Sequence, residues 1–243
     1  MTTVWKSFGA SVIGPGHIAT GKPNQDAWAP FHHAWGDGII VSDGLGSKPF
    51  SDVGSDAACL AVACAIHTCR GKAEIGHDFL SDRIKNNWLS LIAPLEPRDC
   101  AATCLFAFRM DDGVVRMGML GDGLVAAVKP DGVVVSLSDD KTEGFSNITD
   151  ALSSHVTERD WKWLSFPEND CHSIVLCTDG VADDLEDADG FVKEFSNTHR
   201  HLSSVSAARR AREMLENWPT PRHSDDKTIA CLFREDVTQG SRI

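Results

Sequence analysis

Two apolar stretches of this chain end in the same way, and they constrain its fold more than any other feature. Each stretch ends with a small polar residue followed by an Asp-Gly pair, which is Asp43-Gly44 in "GIIVSDG" and Asp179-Gly180 in "SIVLCTDG". A short continuous apolar run is typical of a β-strand that is covered on both faces. A carboxylate at the tip of such a strand is costly unless a positive charge meets it. The two stretches therefore predict rigid strand ends that hold a metal ion.

Further aspartates occur where other predicted strands begin or end. Asp26 lies in "PNQDA", Asp122 in "MLGDGL", and Asp225 with Asp226 in "HSDDKT" before the last strand. Aspartates beside glycine are ordinary turn formers, so any one of them alone would be interpreted as a turn residue. Taken together, oxygen ligands at rigid strand ends favour a hard divalent cation such as Mg²⁺ or Mn²⁺.

The periodicity of apolar residues predicts both helices and strands. Helical spacing predicts one helix pair over about 51–69 and 76–95, and a second pair over 187–196 and 202–218. Three β-rich runs between 100 and 137 are separated by turn signals and predict an antiparallel meander. Because the helices are grouped after strands and do not alternate with them, we expect an α+β layered sandwich.

The segment at about 138–167 is polar and irregular. Its "SDDKTEGFSNITDALSSH" offers few core positions, which is typical of a surface flap or lid. The rest of the chain shows no linker or repeat, and 243 residues that are 42% hydrophobic fit one large globular domain. We therefore predict a single domain over 1–243 with a flap at about 138–167.

The net charge and the cysteine content of the chain argue against several classes of function. A formal net charge of −12 argues against nucleic-acid binding, because phosphate backbones attract clustered lysine and arginine. The eight cysteines form no Cys-x-x-Cys pair, which argues against zinc and favours reduced, mostly buried thiols. No apolar run approaches the roughly twenty residues of a membrane span, and the N-terminus lacks a signal-peptide core. We expect a soluble cytoplasmic protein without nucleic-acid or membrane partners.

The order of the motifs resembles a known family over almost the whole chain. "NQD", "VSDGLGS", "AATCLFAF", "GMLGDG", "VLCTDGVADD" and "SDDKTIACLF" occur as in the metal-dependent serine/threonine protein phosphatases, the PPM or type 2C family. This resemblance implies a four-layer α/β/β/α sandwich, with two central antiparallel sheets flanked by helix pairs and a binuclear Mn²⁺/Mg²⁺ centre at one end. "GKPNQDA" with its upstream Gly-Pro-Gly-His is most similar to a bacterial-type branch.

The resemblance also implies roles for individual residues. Asp43 resembles the carboxylate that bridges both metal ions, and Gly44 resembles the residue whose carbonyl oxygen binds one of them. Asp122 and Asp183 match ligands of a third, weaker metal site. Asp226 stands where the family usually has asparagine, so it is predicted to be a neighbour and not a ligand. The implied ligands of the two main ions are Asp26, which acts directly or through a water, Asp43, Gly44, Asp179 and Asp225.

The implied reaction is hydrolysis of phosphoserine and phosphothreonine in proteins. Asp43 and Asp179 are the predicted catalytic residues, acting through a metal-activated water that bridges the two ions and attacks directly. The motifs place no serine or cysteine nucleophile beside a histidine base, which a covalent route would need. The implied partners are phosphorylated proteins and a cognate serine/threonine kinase.

Three departures from the family pattern keep alternatives open. "TGKPNQD" lacks the usual phosphate-binding arginine, so Lys22 or His17 is the candidate for that role, although lysine lacks the bidentate fork of arginine. Leu45 replaces a histidine of eukaryotic relatives, and "GDGL" replaces Gly-Asp-Ser-Arg. The alternatives are a catalytically weak or silent regulatory or binding module, and a phosphatase for small phosphorylated metabolites.

Overall fold

The structure, a computed structural model, describes residues 2–72, 74–138, 150–221 and 223–237. The α-helices of this part of the chain are α1 Pro15–Thr20, α2 Ser51–His67, α3 His77–Ile92, α4 Asp179–Ala182, α5 Ala188–His199 and α6 Ser204–Glu216. The strands are β1 Thr2–Val12, β2 Asp26–His33, β3 Gly36–Asp43, β4 Cys104–Met110, β5 Val114–Leu120, β6 Leu124–Val128, β7 Val134–Ser138, β8 Lys162–Pro167, β9 Ser173–Cys177 and β10 Lys227–Val237.

These strands form two antiparallel five-stranded sheets. The first sheet has the order β1-β10-β9-β6-β7, and the second has the order β2-β3-β4-β5-β8. Helices α2 and α3 pack on the second sheet, and α5 and α6 pack on the first. The last strand, β10, lies between the first strand and β9, so both ends of the described chain meet in one sheet. The α+β, four-layer α/β/β/α prediction is confirmed.

Strand β3 shows why "GIIVSD" is apolar throughout. Ile39 and Val41 pack between the two sheets against residues such as Leu176, whereas Ile40 points the other way and packs with Phe106 beneath the helices. All of these side chains are fully buried, and each such burial stabilises the fold by about 1.5–3 kcal/mol. The strand that ends at Asp43 is therefore fixed from both faces.

The predicted meander is wrong. Strands β4 and β5 pair in the second sheet, but β6 and β7 pair in the first. The chain crosses between the sheets in "LGDGL", where Gly121 and Gly123 have φ angles of 95° and 108°, a region that other residues rarely adopt. Turn signals did not predict this crossing, because strand pairing depends on contacts with the distant strands β8 and β9.

Part of the predicted flap is a strand. Residues 139–149 lie outside the described residues, so the flap stays a prediction there. Further along, β8 pairs with β5 at the edge of the second sheet. Its side chains alternate, with Trp163 packed towards the helices and Leu164 and Phe166 packed towards the core between the sheets. An edge position tolerates the proline at its end.

The predicted helices occur close to their expected bounds, and two short helices, α1 and α4, were missed. The helix α1 lies in "GPGHIAT". Proline occupies the first helical turn, and Gly21, with a φ of 68°, ends the helix. In the described part of the chain, no helix combines the length and apolar character needed to cross a bilayer.

The thiols are free and mostly buried, as predicted. Cys64 on α2 is exposed, and the other seven cysteines are buried. Burial raises the pKa of the Cys59 and Cys104 thiols above the ordinary cysteine range. These side chains therefore act as small apolar groups in the core.

Candidate metal centre

Segments from both sheets meet at one end of the sandwich and bring aspartates together. Asp43 ends β3, Asp122 lies at the crossing between the sheets, and Asp179 begins α4 directly after β9. One carboxylate oxygen of each lies within 4.8 Å of the other two. They line a cleft of about 180 Å³, named here the aspartate cleft, together with Gln25, Gly44, Leu45, Gly46, Thr103 and Asp225.

Asp26 is buried at the edge of this arrangement. It is directly opposite Asp43 in the pairing of β2 with β3, and it is 8% exposed. The Thr178 hydroxyl donates to Asp26 Oδ2 at 2.9 Å, and the Thr228 backbone N–H donates to the same hydroxyl oxygen at 3.1 Å. This chain of hydrogen bonds fixes the Asp26 carboxylate against the first sheet, although Asp26 belongs to the second.

Burial and mutual repulsion raise the pKa of these carboxyls. Burial is the largest cause for Asp26, whose pKa is about 7, and the charge of Asp226 raises it further. The pKa of Asp43 is well above the ordinary range through burial and then through neighbouring aspartates. Burial and then Asp122 raise the pKa of Asp179 to about 6. A divalent cation would relieve this repulsion, and an all-oxygen donor set suits a hard cation.

Gln25 gives an independent indication that a cation or its water belongs in the aspartate cleft. The side chain is 4% exposed, and Oε1 has no hydrogen-bond partner among the described residues. A buried carbonyl oxygen without a donor costs about 1–3 kcal/mol. Ordered water held at the cleft would remove that cost, so the residues present fit a hydrated metal centre.

The glycine after each core aspartate is required by close backbone packing. A Cβ on Gly44 would collide with the backbone of Ser51 at the start of α2. A Cβ on Gly180 would collide with the carbonyl oxygen of Asp226. The Asp-Gly pairs therefore let each aspartate lie directly against a neighbouring element, which holds it rigidly at the cleft.

Thr103 positions Asp43, and the sequence interpretation missed it. The Asp43 backbone N–H donates to Thr103 Oγ1 at 2.9 Å, and the Thr103 N–H donates to the Asp43 carbonyl oxygen at 2.7 Å. Gln25 was also missed. The available signals were the polar residue just before the strand in "AATCLFAF" and the residue just before Asp26 in "NQD".

The two predicted ligands of a third ion lie beside the aspartate cleft. Asp122 and Asp183 both line an adjoining cleft of about 270 Å³, and Asp122 lines the aspartate cleft as well. Asp183 is exposed, and its backbone N–H donates to the Asp179 carbonyl oxygen at 2.9 Å at the end of α4. The geometry thus places one further carboxylate, that of Asp183, next to the first group, to which Asp122 already belongs.

The candidate phosphate-binding residues do not line the aspartate cleft. Lys22 is exposed, and its Nζ donates to the carbonyl oxygen of Gly46 at 2.9 Å, which places it at the rim. His17 Nδ1 donates to Asp226 Oδ2 at 2.8 Å, so this imidazole nitrogen is already engaged. Lys22 is therefore the better placed of the two for meeting a substrate.

The Asp226 carboxylate joins separate segments of the fold through hydrogen bonds, and this arrangement is named here the latch. Its Oδ1 accepts the Gly14 N–H at 2.6 Å, and its Oδ2 accepts the Gln25 N–H at 2.6 Å in addition to His17. The residue is 2% exposed, so both oxygens are used inside the fold. The latch joins the start of β10 to the segments that precede and follow α1.

Substituting Asp226 with asparagine is expected to lower the free energy of unfolding by about 1–3 kcal/mol. The amide nitrogen would face N–H donors in place of an acceptor, and a charge-assisted bond would be lost. Urea unfolding monitored by tryptophan fluorescence measures the change. Asp189→Asn, at an exposed site in α5, is the control, and equal stability of the two variants would contradict the latch.

Comparisons with known proteins agree with this geometry. The family model described as Protein phosphatase 2C matches residues 13–218. A bacterial serine phosphatase structure is 16% identical, with 97% of this chain and 100% of that chain covered and a TM-score of 0.67. RsbX in complex with magnesium is 14% identical (95% and 96% covered, TM-score 0.62). The catalytic domain of PstP in complex with two manganese ions is 15% identical (97% and 100% covered, TM-score 0.61).

No curated protein sequence matches the chain significantly. At identities of 14–16%, the structural matches show a shared fold. The family model, by contrast, spans most of the sequence and includes the segments that supply Asp26, Asp43, Asp122 and Asp179. The chain belongs to the protein phosphatase 2C family.

Proposed function

We propose that this protein hydrolyses phosphoserine and phosphothreonine in proteins with Mn²⁺ or Mg²⁺ as cofactor. The observation that carries the proposal is the convergence of carboxylates from separate segments, with oxygens of three of them within 4.8 Å of one another. Family membership supports metal-dependent protein phosphatase activity. The proposed ligands are Asp26, Asp43, Gly44, Asp179 and Asp225 for two ions, and Asp122 and Asp183 for a third.

Divalent ions bound at such a centre lower the pKa of water and hold phosphate oxygens for in-line attack. The chain itself contributes by holding the aspartates in fixed positions. Strand β3 and helix α4 fix Asp43 and Asp179. Thr103 accepts the backbone N–H of Asp43, and the Thr178 hydroxyl donates to the Asp26 carboxylate. Because these groups are already positioned, little reorganisation is needed during the reaction.

Lys22 is the proposed contact for the substrate phosphate. Its ammonium lies at the rim of the aspartate cleft through its bond to the Gly46 carbonyl oxygen. The residue is exposed, so a substrate can approach it without rearrangement of the core. A lysine ammonium attracts the phosphate as a point charge, but it lacks the planar fork with which an arginine guanidinium donates two parallel hydrogen bonds.

A silent regulatory module is the weaker candidate. Burial raises the pKa values of Asp26, Asp43 and Asp179, and the charges of neighbouring aspartates raise them further. A chain without metal-dependent chemistry has no physical reason to keep such a cluster.

The test compares matched peptides that carry phosphoserine, phosphothreonine or phosphotyrosine, together with a sugar phosphate. With Mn²⁺ or Mg²⁺ we expect phosphate release from the first two peptides to be fastest, and EDTA to abolish it. Activity that survives EDTA, or a preference for the sugar phosphate, would overturn the proposal. Absence of turnover with every metal would favour the silent module.

We also propose a cytoplasmic location and a cognate serine/threonine kinase as partner. The eight unpaired thiols support a reducing compartment, because secreted proteins tend to oxidise such cysteines. A protein phosphatase acts on proteins that a kinase has phosphorylated, so the proposed partner is a protein kinase. Fractionation of cells and phosphopeptide mapping after loss of the protein would test both statements.

A further inference from the structure

A second large cleft lies at the other end of the first sheet. It has a volume of about 400 Å³, and its lining includes His172, Arg200, His201 and Arg234. We name it the basic cleft. His172 precedes β9 and Asp179 follows it, so at roughly 3.3 Å per residue the basic cleft lies about 20 Å from the aspartate cleft. The basic cleft is therefore separate from the proposed metal centre.

Arg200 is the central cation of the basic cleft. Its Nη1 lies 3.2 Å from His172 Nε2, and its Nε donates to His201 Nε2 at 3.1 Å. Guanidinium groups only donate, so each imidazole presents a lone pair to Arg200 in this arrangement. No carboxylate in the described ranges forms an ion pair with Arg200. Within those ranges, its hydrogen-bond partners are the two imidazoles.

The lining of the basic cleft holds one further arginine and one carboxylate. Arg234 Nη1 donates to Asn169 Oδ1 at 3.3 Å, and its Nη2 donates to Thr3 Oγ1 at 3.4 Å. The lining carboxylate, Glu235, forms an ion pair with Lys6. Two guanidinium groups therefore share one concave surface, on a chain whose formal net charge is −12.

We propose that the basic cleft binds a phosphoryl oxyanion. Arginine forks match the oxygens of a phosphate group bidentately, and charge-assisted bonds of this kind are the strong ones. A cleft that is positive within an acidic protein selects anions that the rest of the surface repels. Metal ions have no part in this binding, and the proposal does not depend on the proposed hydrolysis.

The test is an NMR titration of the ¹⁵N-labelled full chain with sodium phosphate, compared with sodium chloride at equal ionic strength. EDTA is present, so the aspartate cleft has no cation with which to hold phosphate. We expect saturable shifts of the amides of His172, Arg200 and His201 with phosphate and not with chloride. O-phosphoserine is expected to shift the same signals, and serine is not.

Arg200→Ala is expected to weaken phosphate binding about tenfold or more, which corresponds to the loss of one charge-assisted hydrogen bond. Arg209→Ala, at an exposed arginine of α6, is the control and should leave the dissociation constant unchanged. If Arg200→Ala does not fold, Arg200→Lys keeps the charge without the fork and should still bind phosphate more weakly. Equal shifts in chloride, or equal affinity in the Arg200 and Arg209 variants, would overturn the proposal.

Discussion

Asp43→Asn is expected to reduce phosphatase activity by about a thousandfold or more. Asp43 lies between the other aspartates of the cleft, opposite Asp26 in the strand pairing and within 4.8 Å of Asp122 and Asp179 through carboxylate oxygens. Asparagine keeps the size of the side chain but loses the charge that holds divalent ions. Removal of several kcal/mol of charge stabilisation in the transition state corresponds to a factor of this size.

The same substitution is expected to raise the melting temperature of the metal-free protein. Burial and the neighbouring aspartates raise the pKa of Asp43, so its ionised form is unfavourable in the fold without a cation. A structural defect would lower both activity and stability, whereas loss of a metal ligand changes them in opposite directions. Phosphopeptide turnover with Mn²⁺ and calorimetry in EDTA measure the two quantities.

Asp189→Asn is the matched control, because this aspartate is exposed in the first turn of α5. It should leave the turnover rate and the melting temperature nearly unchanged. Two results would contradict the assignment of Asp43 to the proposed centre. One is an Asp43→Asn variant that keeps its activity, and the other is an Asp43→Asn variant that melts at a lower temperature in EDTA than the unsubstituted protein.

The metal-free protein is expected to lose stability as the pH rises from about 4 to 7. In the unfolded chain, aspartate titrates near its ordinary pKa of 3.8, but in the fold the pKa is about 7 for Asp26 and about 6 for Asp179. Between these values the folded state binds more protons than the unfolded state, so stability falls with rising pH. The expected loss from Asp26 alone is about 4 kcal/mol, because a difference of one pKa unit corresponds to roughly 1.4 kcal/mol.

Bound metal should reverse this trend. Cations compete with protons for the same oxygens, so the affinity for Mn²⁺ rises with pH. The difference in melting temperature between samples with Mn²⁺ and with EDTA should therefore be larger at pH 8 than at pH 5. Asp26→Asn should flatten the pH dependence of the EDTA samples. A metal-free protein that is more stable at pH 8 than at pH 5, with no effect of Asp26→Asn, would contradict this prediction.

The sequence predicted those parts of the site that depend on local signals. An apolar run that ends in Asp-Gly marks a buried strand with a fixed carboxylate, and this pattern located Asp43 and Asp179. The structure gives a packing reason for the glycines, since Gly44 and Gly180 have no room for a Cβ. Helices with a clear apolar stripe were predicted close to their bounds for the same local reason.

The remaining features depend on contacts between distant segments. Thr103 positions Asp43 only because β4 is the neighbour of β3, and no spacing along the chain contains that information. The meander prediction failed because β6 pairs with β9 and not with β5. The latch at Asp226 joins residues about 200 positions apart. Sequence periodicity reports which face of an element is buried, but not which element covers it.

The place of β10 in the first sheet has a consequence for how the protein is made. Among the described strands, β1 pairs with β10 alone, and Asp225 lies just before β10. While a ribosome is still synthesising β10, the nascent chain has an unpaired β1 and an incomplete cleft. The first sheet and the aspartate cleft are therefore completed only once β10 has emerged from the exit tunnel.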